Sequence, residues 1–169
     1  RILSERRLRT LRALASRTAE ATTADDACRL AACALGDVDT AADLPFALLY
    51  LLDRDGRVAR LTGAAGLAPG ARFSPTSVDL RTSSPELGWP LAEVLGTGKS
   101  SRLDRFETRF ASMSGSGPVP SSTSALVLPF GPPGAPRPSG LLVAGVSSRL
   151  ALEDRYLGFV EHVAAHVAT

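Results

Sequence analysis

The sequence predicts an α+β fold, an antiparallel sheet carrying helices on its faces, and three observations predict it. Long helical periodicity is confined to the two ends of the chain, over residues 2–35 and 152–167. A turn-forming Asp53-Arg54-Asp55-Gly56 joins two short strand-like runs into a hairpin. Near the C-terminus, residues 125–130 and 140–146 are almost wholly apolar, as central strands covered on both sides are.

The elements follow in order. Residues 2–20 read as a helix with Ile2, Leu3, Leu8, Leu11, Leu14 and Ala15 on one broad stripe between arginines. A second helix starts at Thr23, a good N-cap with Asp26 three places on, and runs to Leu35, with Gly36 as its stop. Asp25 and Asp26 suit the positive end of its dipole, so the pair has a capping role and not that of a catalytic dyad. The hairpin pairs residues 46–52 with 57–65, where Ala59, Leu61, Gly63 and Ala65 alternate with Val58, Arg60, Thr62 and Ala64. Residues 66–85 are rich in Gly, Pro, Ser and Thr and offer at most a short strand at 77–80. Residues 89–95 form a short helix ended by Gly96 and Gly98, and a strand follows near 100–103. Phe106 and Phe110 flank Arg109 in a weakly helical patch before the Ser/Gly/Pro loop of residues 113–124. The two apolar strands are joined by a proline-rich, stiff connection over 131–139. Leu152, Tyr156, Phe159, Val163 and Val167 then mark an amphipathic C-terminal helix.

At 169 residues, 44% of them hydrophobic and 21% charged, the chain has the length of one domain and can bury a core. No apolar run approaches the ~20 residues of a membrane span, and no basic-then-apolar leader is present. The opening Arg1 is what an excised piece of a longer protein would show. A formal charge of +2 excludes a broadly basic, nucleic-acid-binding surface. Arg1, Arg6, Arg7, Arg9, Arg12 and Arg17 cluster early, but no aromatic is interleaved for base stacking, so they read as the solvated side of a helix. Cys28 and Cys33 lie about 7.5 Å apart along one helix and about 140° apart around it, which keeps them from pairing. Two thiols make neither a disulfide framework nor a four-thiolate metal site, and a reducing cytoplasm is the expected compartment.

Chemistry is sparse. Gly98-Lys99-Ser100 has the tail of a phosphate-binding loop, but Glu93 occupies the place of its first glycine, and a helix precedes where a strand is needed. His162 and His166 have a metal-ligand spacing without a third ligand beside them. No Gly-x-Ser-x-Gly elbow occurs, and no His lies outside the last helix to serve as a base. No catalytic residue, metal or cofactor is therefore expected in this fragment.

The helix at 9–14 leading into the Ala-rich second helix, the hairpin, "WPLAEVLGTGKS" (89–100), "SALVLPF" (124–130) and "GLLVAGVSSRLALEDRYLGFVEHVAAHVAT" (140–169) together resemble a GAF domain, a sensory module related to PAS domains. The similarity covers roughly residues 9–169, and its last two segments resemble those of actinobacterial multi-domain histidine kinases. The resemblance implies a GAF/PAS-like antiparallel sheet of about five or six strands, with N- and C-terminal helices packed together. It divides the chain into a signalling helix at 1–20 and a sensory domain at 21–169. It also implies a non-catalytic cytoplasmic sensor in a two-component histidine kinase, homodimeric through its terminal helices. The cyclic-nucleotide pattern of the family is missing, as are a Cys or His in the middle of the chain for a bilin or haem. A small-molecule pocket for an anion or nucleotide-like ligand, if formed, would be walled by Tyr50, Trp89, Phe106, Phe110 and Leu126, with Arg109 anchoring an anion. The alternative is a dimerisation spacer without ligand, its aromatics ordinary core.

Overall fold

Helices α1 (Ile2–Thr18) and α2 (Ala24–Leu35) open the chain in the computed structural model, which describes residues 2–35, 45–81, 88–110, 124–131, 137–146 and 161. Strands β1 (Ala47–Leu52), β2 (Val58–Ala65) and β3 (Ser77–Asp79) come next. Helix α3 (Leu91–Thr97), β4 (Ser101–Leu103), a short 3-10 helix (Phe106–Phe110), β5 (Ala125–Phe130) and β6 (Gly140–Gly145) complete the described elements. The expected C-terminal helix, with His162 and His166, lies outside the described residues, as do the Gly36 stop and most of the 113–124 loop.

The six strands form one sheet in the order β3-β2-β1-β6-β5-β4, and each neighbouring pair is antiparallel. Two three-stranded meanders, one from each half of the chain, thus join where β1 pairs with β6. The late apolar runs are this sheet's interior: β6 is buried at every position and β5 at every position but Pro129.

Each face of the sheet carries its own core. On one side α1 and α2 bury Leu14, Cys28, Ala31 and Leu35 against Leu49, Leu126, Leu128, Leu142 and Ala144. On the other, Leu48, Tyr50, Val127, Leu141 and Val143 meet α3 and a group of aromatic rings. Alternation along β1, β5 and β6 sorts the side chains into these two layers.

Local chemistry fixes the helix ends. The Asp26 N–H donates to Thr23 Oγ1 (3.1 Å), the expected N-cap bond, while the Asp26 carboxylate accepts from Thr22 and Arg29. That carboxylate is held below the usual range first by its bond from Arg29 and then by the one from Thr22. Helix α3 runs through Gly96 and stops at Gly98, whose N–H donates to Val94 O (2.8 Å). The apolar stripe expected on α1 is narrower than its sequence pattern. Thr10, Leu14 and Thr18 are buried with Leu11 half-covered, whereas Leu8 is 50% exposed. Thr18 Oγ1 satisfies itself by donating to Leu14 O (2.8 Å).

The β2 alternation also differs from the sequence pattern. Leu49 pairs with Gly63 and Tyr50 with Leu61, leaving Thr62 as an extra residue in a bulge. Ala59 and Leu61 therefore face the aromatic layer, whereas Ala65 belongs to the helix-side core and Gly63 lies under α2. At Gly63 a Cβ would stand 2.6 Å from Cys28 O and 2.9 Å from Ala32 Cβ, so α2 approaches the bulged strand only because no side chain is there.

Candidate functional site

The aromatic layer is the place where a ligand pocket is expected, and it is built from four parts of the chain. Phe46 and Tyr50 come from β1 and the residue before it. Phe73 comes from the loop between β2 and β3, Trp89 from the crossing segment between the two meanders, and Phe106 and Phe110 from the 3-10 helix between β4 and β5. Trp89 lies just ahead of α3, which starts at Leu91 with Pro90 as its cap; proline's fixed φ and missing N–H suit that position.

The rings fill this space with one another. Trp89 stands 4.9 Å from Phe106, 5.0 Å from Phe110 and 6.0 Å from Phe46 between centroids. Phe73 meets Phe110 edge-on at 5.1 Å. These are the tilted and T-shaped arrangements that the ring quadrupole favours. Each polar tip is spent on the same loop: Trp89 Nε1 donates to Phe73 O (2.8 Å) and Tyr50 Oη donates to Pro75 O (2.8 Å). Burial holds the Tyr50 phenol far above its ordinary pKa, so it is a neutral donor at any physiological pH.

Of the six residues expected to wall a pocket, Tyr50, Trp89, Phe106 and Phe110 are brought together here. Leu126 is not: on β5 it alternates with Ala125 and Val127 and so points to the helix-side core across the sheet. Arg109 stands at the rim, where its Nε donates to Gly88 O (2.7 Å) and its carbonyl accepts from the Gly88 N–H (2.9 Å). That two-way clamp fastens the 3-10 helix to the segment carrying Trp89. Phe46 and Phe73 are wall residues absent from the sequence-based set. Phe46 was legible as the head of the first apolar run, whereas Phe73 sits in an aperiodic loop with no pattern to mark it.

The two thiols lie away from this face. Cys28 is buried in the helix-side core, its pKa pushed up to about 12 by burial and, second, by the Asp25 charge; Cys33 is exposed. Among the described residues no group of three His, Cys, Asp or Glu side chains could hold a metal ion. Within them, too, no helix is long and apolar enough to cross a membrane. Gly98-Lys99-Ser100 connects a helix to a strand and offers no phosphate-cradling loop. The aromatic face thus offers shape and rigidity, and the Tyr50 phenol within it is held neutral.

Solved structures share this architecture. The GAF domain from Acinetobacter phosphoenolpyruvate-protein phosphotransferase is 19% identical, with a TM-score of 0.65 over 95% of this chain and 89% of that one. Residues 122 to 287 of a methyl-accepting chemotaxis protein are 18% identical, with a TM-score of 0.65 over 92% of each chain. The free methionine-R-sulfoxide reductase from Neisseria meningitidis, solved with its substrate, is 18% identical, with a TM-score of 0.60 over 94% of this chain and 86% of that one. No protein-family model and no curated protein sequence matches this chain.

Proposed function

We propose that this chain, whose α+β fold is that of GAF domains, is a non-catalytic sensory or regulatory domain of a cytoplasmic signalling protein. In this reading it belongs to a two-component histidine kinase and works as a homodimer through its terminal helices. The observation that carries the reading is on α1. Leu14 is fully buried against α2 and the sheet, while Leu8, less than two turns earlier, is half exposed. A helix anchored at one end with an exposed leucine toward the other suits a two-helix dimer seam. A signal would shift that seam by the difference in its affinity for two helix arrangements.

The catalytic neighbours do not draw this chain toward their chemistry. Reducing a sulfoxide to a thioether requires two electrons, which a pair of thiols supplies by forming a disulfide. Here the chain's two thiols sit five residues apart on one helix, one buried and one exposed, on the side of the sheet opposite the aromatic layer.

Sedimentation equilibrium over a wide concentration range tests the dimer. The wild-type chain is expected to self-associate and Leu8→Glu to weaken that association at least tenfold; a strict monomer overturns the proposal. In the parent protein Leu8→Glu should change autophosphorylation, and a parent without kinase activity removes the histidine-kinase assignment. One observation favours a second reading, a dimerising spacer without ligand: Trp89 and Phe110 already occupy the space beneath α3. A thermal-shift screen with nucleotides, read together with Trp89 emission, separates the two. Stabilisation with a changed emission supports a sensor pocket, and no response from any compound supports the spacer.

A further inference from the structure

A second concave site lies at the end of the sheet, where the β1–β2 turn meets the chain entering β6. It is a cleft of about 380 Å³, within the range of small-molecule sites, and Arg54, Arg60 and Arg137 are among its lining residues. None of the three has a carboxylate partner among the described residues. The turn itself shapes the cleft. Asp53 Oδ1 accepts from the Arg57 N–H (2.9 Å) and the Val58 N–H (3.4 Å), and Gly56 takes a φ of +68° that a side chain would strain. With no Cβ at Gly56, the Arg137 guanidinium lies directly over the turn, 3.4 Å from where that atom would be.

The cleft's two carboxylates do not cancel this charge. Asp53 is committed to the turn, its pKa lowered chiefly by the bond from the Arg57 N–H, and Asp25 stands in the first turn of α2. Leu51, Leu52 and Pro138 supply an apolar wall beside the guanidinium groups. Planar guanidinium forks recognise phosphate oxygens in pairs, and an apolar wall accepts the organic part of an ester.

We propose that this cleft binds a small phosphate-bearing anion, with Arg60 and Arg137 holding the phosphate and the Leu51–Pro138 side taking its organic group. This site is independent of the aromatic face and of the dimer seam. Isothermal titration at constant ionic strength tests it with inorganic phosphate, pyrophosphate and phenyl phosphate as probes. Saturable binding is expected, with phenyl phosphate tighter than inorganic phosphate because it also covers the apolar wall. Arg60→Gln and Arg137→Gln should each weaken binding several-fold and the double variant more than tenfold. Arg102→Gln, on β4 beside Asp104, should leave it unchanged. All three arginines are exposed, so the variants should retain the wild-type circular dichroism. Absence of saturable binding at millimolar probe overturns the proposal. So does equal binding by all variants, which would mark general attraction of anions to an arginine-rich surface.

Discussion

Trp89 gives the sharpest test of the closed aromatic face. It is the chain's only tryptophan, is 3% exposed, touches three phenylalanine rings and donates one hydrogen bond to Phe73 O. Trp89→Phe keeps most of the ring contact but loses the hydrogen bond and some volume. The lost bond costs about 1 kcal/mol and the smaller ring a similar amount, about 2 kcal/mol together. Trp89→Ala removes the whole side chain from a site whose neighbours are themselves rigid rings, so about 4 kcal/mol is expected. For a chain of this size those losses lower Tm by roughly 4–8 °C and 8–16 °C. Thermal melts followed by far-UV circular dichroism measure both. In the wild type, acrylamide should quench the indole poorly until the protein unfolds. A Trp89→Ala cost below about 1 kcal/mol, or free quenching in the native state, would refute the filled-layer reasoning, because a large ring in a solvent-open groove forfeits little when removed.

Further outcomes are expected at Gly63, at the two cysteines and at Asp53. Gly63→Ala should destabilise the fold by about 1–3 kcal/mol in urea titration, since the added methyl meets the Cys28 carbonyl and the Ala32 Cβ, neither of which can swing away. With a thiol reagent Cys33 should react at once and Cys28 only on unfolding. Because the folded Cys28 pKa is about 12 against 9.0 for the free thiol, stability is intact below pH 9 and falls as the unfolded thiol ionises above it. The loss at pH 10 is on the order of 1 kcal/mol, and a Cys28→Ala variant should flatten that part of the alkaline Tm profile. Asp53→Ala should lower Tm and Asp53→Asn largely restore it, because an amide oxygen can still accept the turn N–H bonds. The depressed Asp53 pKa means its contribution is present above pH 3.8 and disappears as pH falls through the folded value.

Much of the fold could be read from one dimension because its signals are local. The Thr23 cap, the Asp53–Gly56 turn and the unbroken apolar runs of β5 and β6 each depend on neighbours a few residues away. The gathering of Tyr50, Trp89, Phe106 and Phe110 was implied by the resemblance to GAF domains, which sets the Trp89 helix over one face of the sheet. The misplacement of Leu126 had another origin. An apolar run buried on both sides carries no polar–apolar alternation, so nothing in it says which face a given residue serves.

Sequence by itself determined the element types, the antiparallel pairing and the paucity of catalytic groups, because periodicity, turn chemistry and residue inventory are properties of short windows or of simple counts. Only the tertiary structure decided the joining of the meanders through β1 and β6, the bulge at Thr62 that turns Gly63 toward α2, and the recruitment of Phe73 from an aperiodic loop. It alone also brought Arg60 and Arg137, 77 positions apart, to one cleft. Those features arise from contacts between distant segments, whose closure is settled by how well two surfaces pack and not by the preferences of either segment alone.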